Sequence, residues 1–179
     1  MRRTNGIKRL VAVALTVVAL VLATVSVAFA GSSSERPFKE HLSGYTYAID
    51  YGGEDRLFNG KCSVESDWMT FMSGTGTVSH MGTVSWTSEH CFQMNGFTFG
   101  DSNLVITAAN GDQLFATYSG WMTGATTFAE NMVIEGGTGR FVGAEGSAFE
   151  SGWFDPLTGY MEIVGDGVIQ YDASMRSKG

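Results

Sequence analysis

The chain has 179 residues, room for one domain rather than two. Beyond residue 30 the balance is 7 basic against 18 acidic residues, a net −11 over 149 positions, and a body that acidic repels phosphate backbones and excludes nucleic acid as a partner. Glycine makes up 23 of those 149 residues, about twice the usual level, which works against a helical bundle.

Residues 1–30 read as an export signal. Arg2, Arg3, Lys8 and Arg9 form a charged start, an apolar run follows from Leu10 to Phe29, and Ala28-Phe29-Ala30 presents small residues where a signal peptidase cuts. About 20 apolar residues would also suffice as a membrane anchor, but the small-x-small ending favours cleavage near Ala30. The expected product is exported, extracellular or periplasmic, with no stable membrane association. Residues 31–40 then read as a polar leader, 41–171 as a single folded domain and 172–179 as a short tail.

Within 41–171 no stretch sustains a 3.6-residue apolar period; short β-rich runs alternate with glycine turns. Strands are expected near 44–51, 61–65, 76–79, 83–87, 97–99, 104–109, 113–118, 127–134, 146–153 and 160–171. The clearest hairpin joins 104–109 to 113–118 through Asn110-Gly111-Asp112, where Asn-Gly tolerates positive φ. With all three residues in the loop, Ala109 faces Gln113. Leu104, Ile106, Ala108, Leu114, Ala116 and Tyr118 then share one face, and Val105, Thr107, Ala109, Gln113, Phe115 and Thr117 the other. Glycines inside several strands permit the bending that closes a sheet. The fold class is therefore all-β, an antiparallel closed barrel of about eight strands, with a β-sandwich as the alternative.

Cys62 and Cys91 are the only cysteines, and an oxidising compartment makes one disulfide the economical reading. His80, Glu89 and His90 lie near Cys91, yet no C-x-x-C or H-E-x-x-H spacing accompanies them, so no metal is expected. No cofactor is expected either: Gly137-Thr138-Gly139 is followed by Val142 where a dinucleotide loop needs glycine, and neither a G-K-[ST] loop nor a G-x-S-x-G elbow is present. His41, His80 and His90 read as surface or structural histidines.

The stretch from Gly136 to Ser147, Gly-Gly-Thr-Gly-Arg-Phe-Val-Gly-Ala-Glu-Gly-Ser, resembles a signature of the allene oxide cyclase-like and dirigent-like barrels. The stretches Ser73 to Gly82 and Ala108 to Leu114 are similar to segments of uncharacterised secreted bacterial relatives. The resemblance implies one eight-stranded barrel over roughly 41–171 with an apolar cavity. It transfers no reaction, since no catalytic carboxylate of the plant enzymes maps onto a numbered position.

Candidate functional residues follow from what a barrel must enclose. Glu130, Glu150 and Glu162 lie within expected strands, so each points either into the barrel or out of it. If Phe149 and Met161 pack outward, the acids face a cavity with raised pKa; otherwise they meet solvent, the ordinary state of a carboxylate. The four tryptophans and the seven methionines from Met69 to Met161 supply either a packed core or an adaptable wall for a small ligand. Trp86, Trp121, Glu130 and Glu150 form the candidate pocket set. Two functions follow, a secreted acidic barrel binding a small apolar molecule or serving the envelope structurally, and a cofactor-independent cyclase or isomerase working in the cavity. A third rests on exposed aromatics such as Trp153 and Phe154, which would suit a homo-oligomer or another protein partner.

Overall fold

The computed structural model describes residues 34–173; the expected export segment lies outside them, as does most of the tail. Eight strands run in chain order: β1 (Arg36–Asp50), β2 (Trp68–Val78), β3 (Gly82–Gln93), β4 (Thr98–Ala108), β5 (Gln113–Met122), β6 (Thr127–Gly137), β7 (Glu145–Phe154) and β8 (Tyr160–Gln170). Each is antiparallel to the next, and β8 returns to pair with β1, so the sheet closes into a barrel and the sandwich is ruled out. Among the described residues no helix is long and apolar enough to cross a membrane.

Alternation along the strands sorts the chain. In β1, Phe38, Glu40 and Leu42 are buried while Pro37, Lys39 and His41 are exposed. The strand thus begins at Arg36, inside the stretch expected as a leader, because Phe38 has a core place to fill. The expected runs 97–99 and 104–109 are two parts of β4, separated by an irregularity in its pairing between Phe99 and Leu104. The hairpin that follows keeps the expected faces, with Leu104, Ile106, Ala108, Leu114, Ala116 and Tyr118 all buried. Its register differs by two residues. Thr107, not Ala109, faces Gln113, since the Ala108 N–H bonds the Asp112 carbonyl (2.9 Å) and the Asn110 amide holds the Asp112 carboxylate (2.9 Å). A slip of two preserves side-chain direction, so the faces survived the error.

The expected strand at 61–65 is absent. The segment between β1 and β2 is a chain of turns, organised by the Asp55 carboxylate accepting from the amides of Leu57 (3.1 Å) and Asn59 (2.7 Å), and by Asp101 accepting from the amide and hydroxyl of Ser63. Cys62 is bonded to Cys91 with the Cα atoms 5.9 Å apart, as the sequence suggested. Phe58, Cys62, Met69 and Cys91 pack together as a small second core, beside Phe71.

The two ends of the barrel differ. At one, the glycine-rich stretch leaves β6, makes a 3-10 turn over Gly139–Phe141 and buries Phe141 completely, beside Tyr171 and in one core with Phe38 and Ile169. Gly139 adopts φ +56° directly against the Asp112 carboxylate, where a Cβ has no room, and the Arg140 guanidinium pairs with that carboxylate (3.3 Å). This end is plugged. The other end, bearing the long β1–β2 segment and the β3–β4, β5–β6 and β7–β8 turns, leads into the interior.

The disulfide closes a loop of about 30 residues and is expected to stabilise the fold by roughly 3–4 kcal/mol. Chemical denaturation of a Cys62→Ala/Cys91→Ala double variant should show a loss of that order; equal stability would mean that the turn hydrogen bonds alone hold the segment.

Candidate functional site

A cavity of about 370 Å³ occupies the barrel between the open end and its middle. That is within the range of small-molecule sites. Its wall is built from inward positions of every strand, largely aromatic and thioether: Trp86, Phe92, Phe99, Phe128, Phe154, Met72 and Met161 among them. Trp86 can lie flat against the wall because Gly44 and Gly74, paired across β1 and β2, leave space there; a Cβ on Gly44 would come within 2.6 Å of the indole. The indole N–H donates to the carbonyls of Ser43 (3.2 Å) and Thr75 (3.4 Å).

Polar groups enter this wall in two clusters. In the first, the Tyr118 hydroxyl lies 2.6 Å from Ser88 Oγ and 3.0 Å from His90 Nδ1. Burial drives the His90 pKa down to about 4, so the imidazole is neutral, and burial with the nearby Glu130 charge raises Tyr118 well above the usual phenol range.

The second cluster is a row of carboxyls. Glu130 on β6 pairs with Glu150 on β7, Glu150 pairs with Gly165 on β8, and Gly165 pairs with Glu40 on β1. All three glutamates are buried, at 3%, 2% and 5% exposure respectively. Gly165 lets the row form: a Cβ there would stand 2.6 Å from Glu40 Oε1 and 2.9 Å from Glu150 Cγ, so its absence lets the flanking acids approach over it. Both oxygens of Glu40 and Oε1 of Glu150 receive no hydrogen bond from any donor group of the protein. As carboxylates these groups only accept, so they can bond to one another only by keeping protons. Burial accordingly raises all three: Glu40 and Glu150 well above the usual carboxyl value, Glu130 to about 7. Burial is the largest cause in each; charge on a neighbouring carboxyl adds to it, while hydrogen bonding from Glu150 at Glu130, and from Glu40 at Glu150, offsets part of the rise. Glu130 and Glu150 line the cavity, and Glu40 stands behind Glu150 in the row.

Of the four residues singled out from the sequence, Trp86, Glu130 and Glu150 meet at the cavity. Trp121 does not. It is 41% exposed on the outer face, near the Phe149 ring at 6.5 Å, since Gly120 and Met122 hold the inward positions on either side of it. Phe149 points outward and Met161 inward, so Glu150 faces the interior while Glu162 stays at the outside, accepting from the Tyr160 hydroxyl (2.9 Å). Trp153 is exposed, but Phe154 turns in and lines the cavity. His90, one of the histidines read as surface or structural, is part of the cavity wall, and Glu40 and Tyr118 complete a site that sequence reasoning had not assembled. Among the described residues no grouping of His, Cys, Asp and Glu has the arrangement of a metal site.

The sign of the pH dependence follows from these shifts. Acids whose folded-state values are raised leave the fold at full stability below the unfolded value and weaken it as pH rises toward the folded one; for Glu130 this amounts to roughly 3 kcal/mol, lost progressively between about pH 4.5 and pH 7. His90 acts oppositely and lower, costing stability as pH falls from 6.5 toward 4. Glu40 and Glu150 act in the same direction as Glu130, so thermal unfolding should show a melting temperature that declines as pH rises from about 5 through 7, and Glu130→Gln should make that decline shallower. A wild-type melting temperature unchanged across that interval would contradict the buried-acid arrangement.

No family model matches the chain, and neither does any curated protein. Among solved structures it is similar to the pterocarpan synthase dirigent protein GePTS1, with 16% identity and a TM-score of 0.47 over 79% of this chain and 87% of the other.

Proposed function

We propose that the protein is an exported barrel that takes a small, largely apolar molecule into its interior with a polar end directed at the carboxyl row. The observation that carries this reading is the continuity of the cavity: an apolar, aromatic wall leads from the open end to Glu130 and Glu150. A barrel packed solid by its own tryptophans and methionines would have left no such space. The disulfide between Cys62 and Cys91 is compatible with export, and the small-x-small ending Ala28-Phe29-Ala30 supports cleavage near Ala30. The likeness to allene oxide cyclase-like proteins and to secreted bacterial barrels belongs to the same reading.

One observation favours a second, catalytic version. Carboxyls of unequal burial-driven acidity, held side by side in a water-poor cavity, are the equipment of general acid–base catalysis. A proton-holding acid beside a group that titrates near neutrality suits cofactor-independent cyclisation or isomerisation, in which the barrel also shapes the substrate. In that version Glu130 accepts a proton and Glu150 donates one.

Uptake of a neutral solvatochromic probe such as prodan tests the binding reading. Met122, half-buried beside the mouth, can be enlarged without disturbing the inner wall. Met122→Trp should weaken uptake by at least about tenfold, while Trp121→Ala on the outer face should leave it within about twofold. A wild-type protein that takes up no probe would end the proposal. N-terminal sequencing of the protein recovered outside its producing cells should begin at Gly31; a chain that retains Met1 and stays with the membrane would overturn export.

A further inference from the structure

Among the described residues no cation stands beside the carboxyl row, as one ordinarily does beside buried acids. The described residues contain five lysines and arginines, and each is engaged elsewhere: Arg36 over the Tyr171 ring, Lys39 with Asp166, Arg56 with Asp67, Lys61 with Glu89 and Arg140 with Asp112. His90, the one imidazole on the cavity wall, is kept neutral by burial. Three acids without a countercharge are costly to bury and gain nothing for the fold. Glu150 is 2% exposed, lines the cavity, and has an oxygen that no donor of the protein reaches.

We infer that the molecule accepted by the barrel is an amphiphilic amine, whose ammonium head sits against Glu130 and Glu150 and supplies the missing positive charge. This rests on the small-ligand reading above and gives it a chemical class. The surroundings of the two acids suit such a head. Gly120 and Gly152 are the cross-strand neighbours of Glu130 and of Phe128, and the rings of Phe99 and Phe128 lie over these glycines, 6.0 Å apart at their centres. Aromatic faces beside a carboxylate form a favourable seat for an ammonium. The hydroxyl oxygens of Tyr118 and Ser88 are further acceptors on the same wall. The rest of the wall is apolar and asks for a hydrocarbon or aromatic body. An anionic head meets no cation of the described residues on this wall and is repelled by any of the acids that ionises. A neutral alcohol can bond to a protonated carboxyl but gains nothing from ionising it.

The charge balance of binding is explicit. An ammonium entering beside a protonated glutamic acid turns it into a carboxylate, and the displaced proton leaves to solvent. Binding therefore strengthens as pH rises through the range where Glu130 titrates, and fails once the amine itself loses its proton. The titratable groups facing the head are Glu40 from β1, His90 from β3, Tyr118 from β5, Glu130 from β6 and Glu150 from β7. The inward positions of β2, β4 and β8 carry none.

Competition against bound prodan tests this with three probes of one body and different heads: octylammonium, octanol and octanoate. Near neutral pH, octylammonium should displace the dye at least about tenfold more effectively than octanol, and octanoate least of all. Calorimetry in two buffers of different ionisation heat should register a proton released as the amine binds. In a Glu130→Gln/Glu150→Gln variant, direct calorimetric titration should give the amine and the alcohol about equal affinity, whereas Trp121→Ala on the outer face should keep the wild-type preference for the amine within about twofold. Octanol binding as tightly as the amine, or amine binding without proton release, would overturn the amine assignment and leave the ligand reading standing. Failure of the wild-type protein to take up prodan or any of the three would overturn both.

Discussion

The pairing of β8 with β1, from Arg36 opposite Ile169 to Tyr45 opposite Tyr160, is the constraint on which the rest of the molecule depends. Closure satisfies the two edges that an open eight-stranded sheet would expose, and it converts side-chain alternation into a division between inside and outside. A residue two positions from an interior one is interior as well, whatever its chemistry. Phe38, Glu40 and Leu42 therefore share a fate on β1, as do Ala148 and Glu150 on β7 and Glu130, Met132 and Ile134 on β6. The carboxyls are inside because the strands carrying them have no other register that keeps their apolar neighbours buried.

Closure also sets a finite volume that the chain fills unevenly. At the plugged end, Phe141 is delivered inward by a turn that depends on Gly139 and on the pairing of Arg140 with Asp112. Toward the other end the inward positions hold bulky aromatics, but those on neighbouring strands are often glycine, as with Gly44 and Gly74 beside Trp86, Gly120 beside Phe99 and Gly152 beside Phe128. Each ring lies along the wall over a glycine rather than across the lumen. The cavity is the space that this arrangement leaves. High glycine content and high aromatic content are thus two sides of one solution, a thin aromatic lining in place of a solid core.

Much of this was legible in the sequence, and the boundary of legibility has physical reasons. Alternation identified the strands, and even the hairpin placed two residues out of register had its faces assigned correctly, because direction depends only on parity. The same parity carried from Tyr118 to Trp121, three positions on, would have sent that tryptophan outward. Bulk alone made it look like a pocket residue. Glu40 was passed over because residues 31–40 read as a polar leader; the alternation of Phe38, Leu42 and Gly44 around it was the available signal. The row Glu130–Glu150–Gly165–Glu40 is beyond any linear reading, since it is assembled by the registers of three separate strand pairs. Residues 61–65 mimic a strand in composition, but the segment is turned locally by Asp55 and fastened from other elements by Asp101 on β4 and by the disulfide to Cys91 on β3.

The acid row is best understood as a stability cost kept in place by the architecture. An apolar residue at position 130 or 150 would pack as its neighbours Met132 and Ala148 do and would carry no desolvation penalty. A packing role does not account for glutamate at three registered interior positions, with glycine between two of them to admit their side chains. Nor does a salt bridge, because every cation of the described residues is committed at the surface. Protonation alone makes the row tolerable, and a row that is tolerable only while protonated responds strongly to whatever enters beside it. Such a site distinguishes incoming molecules by charge before shape. The plug at one end and the aromatic lining at the other ensure that whatever enters reaches the acids through a medium of low polarity, where that distinction is largest.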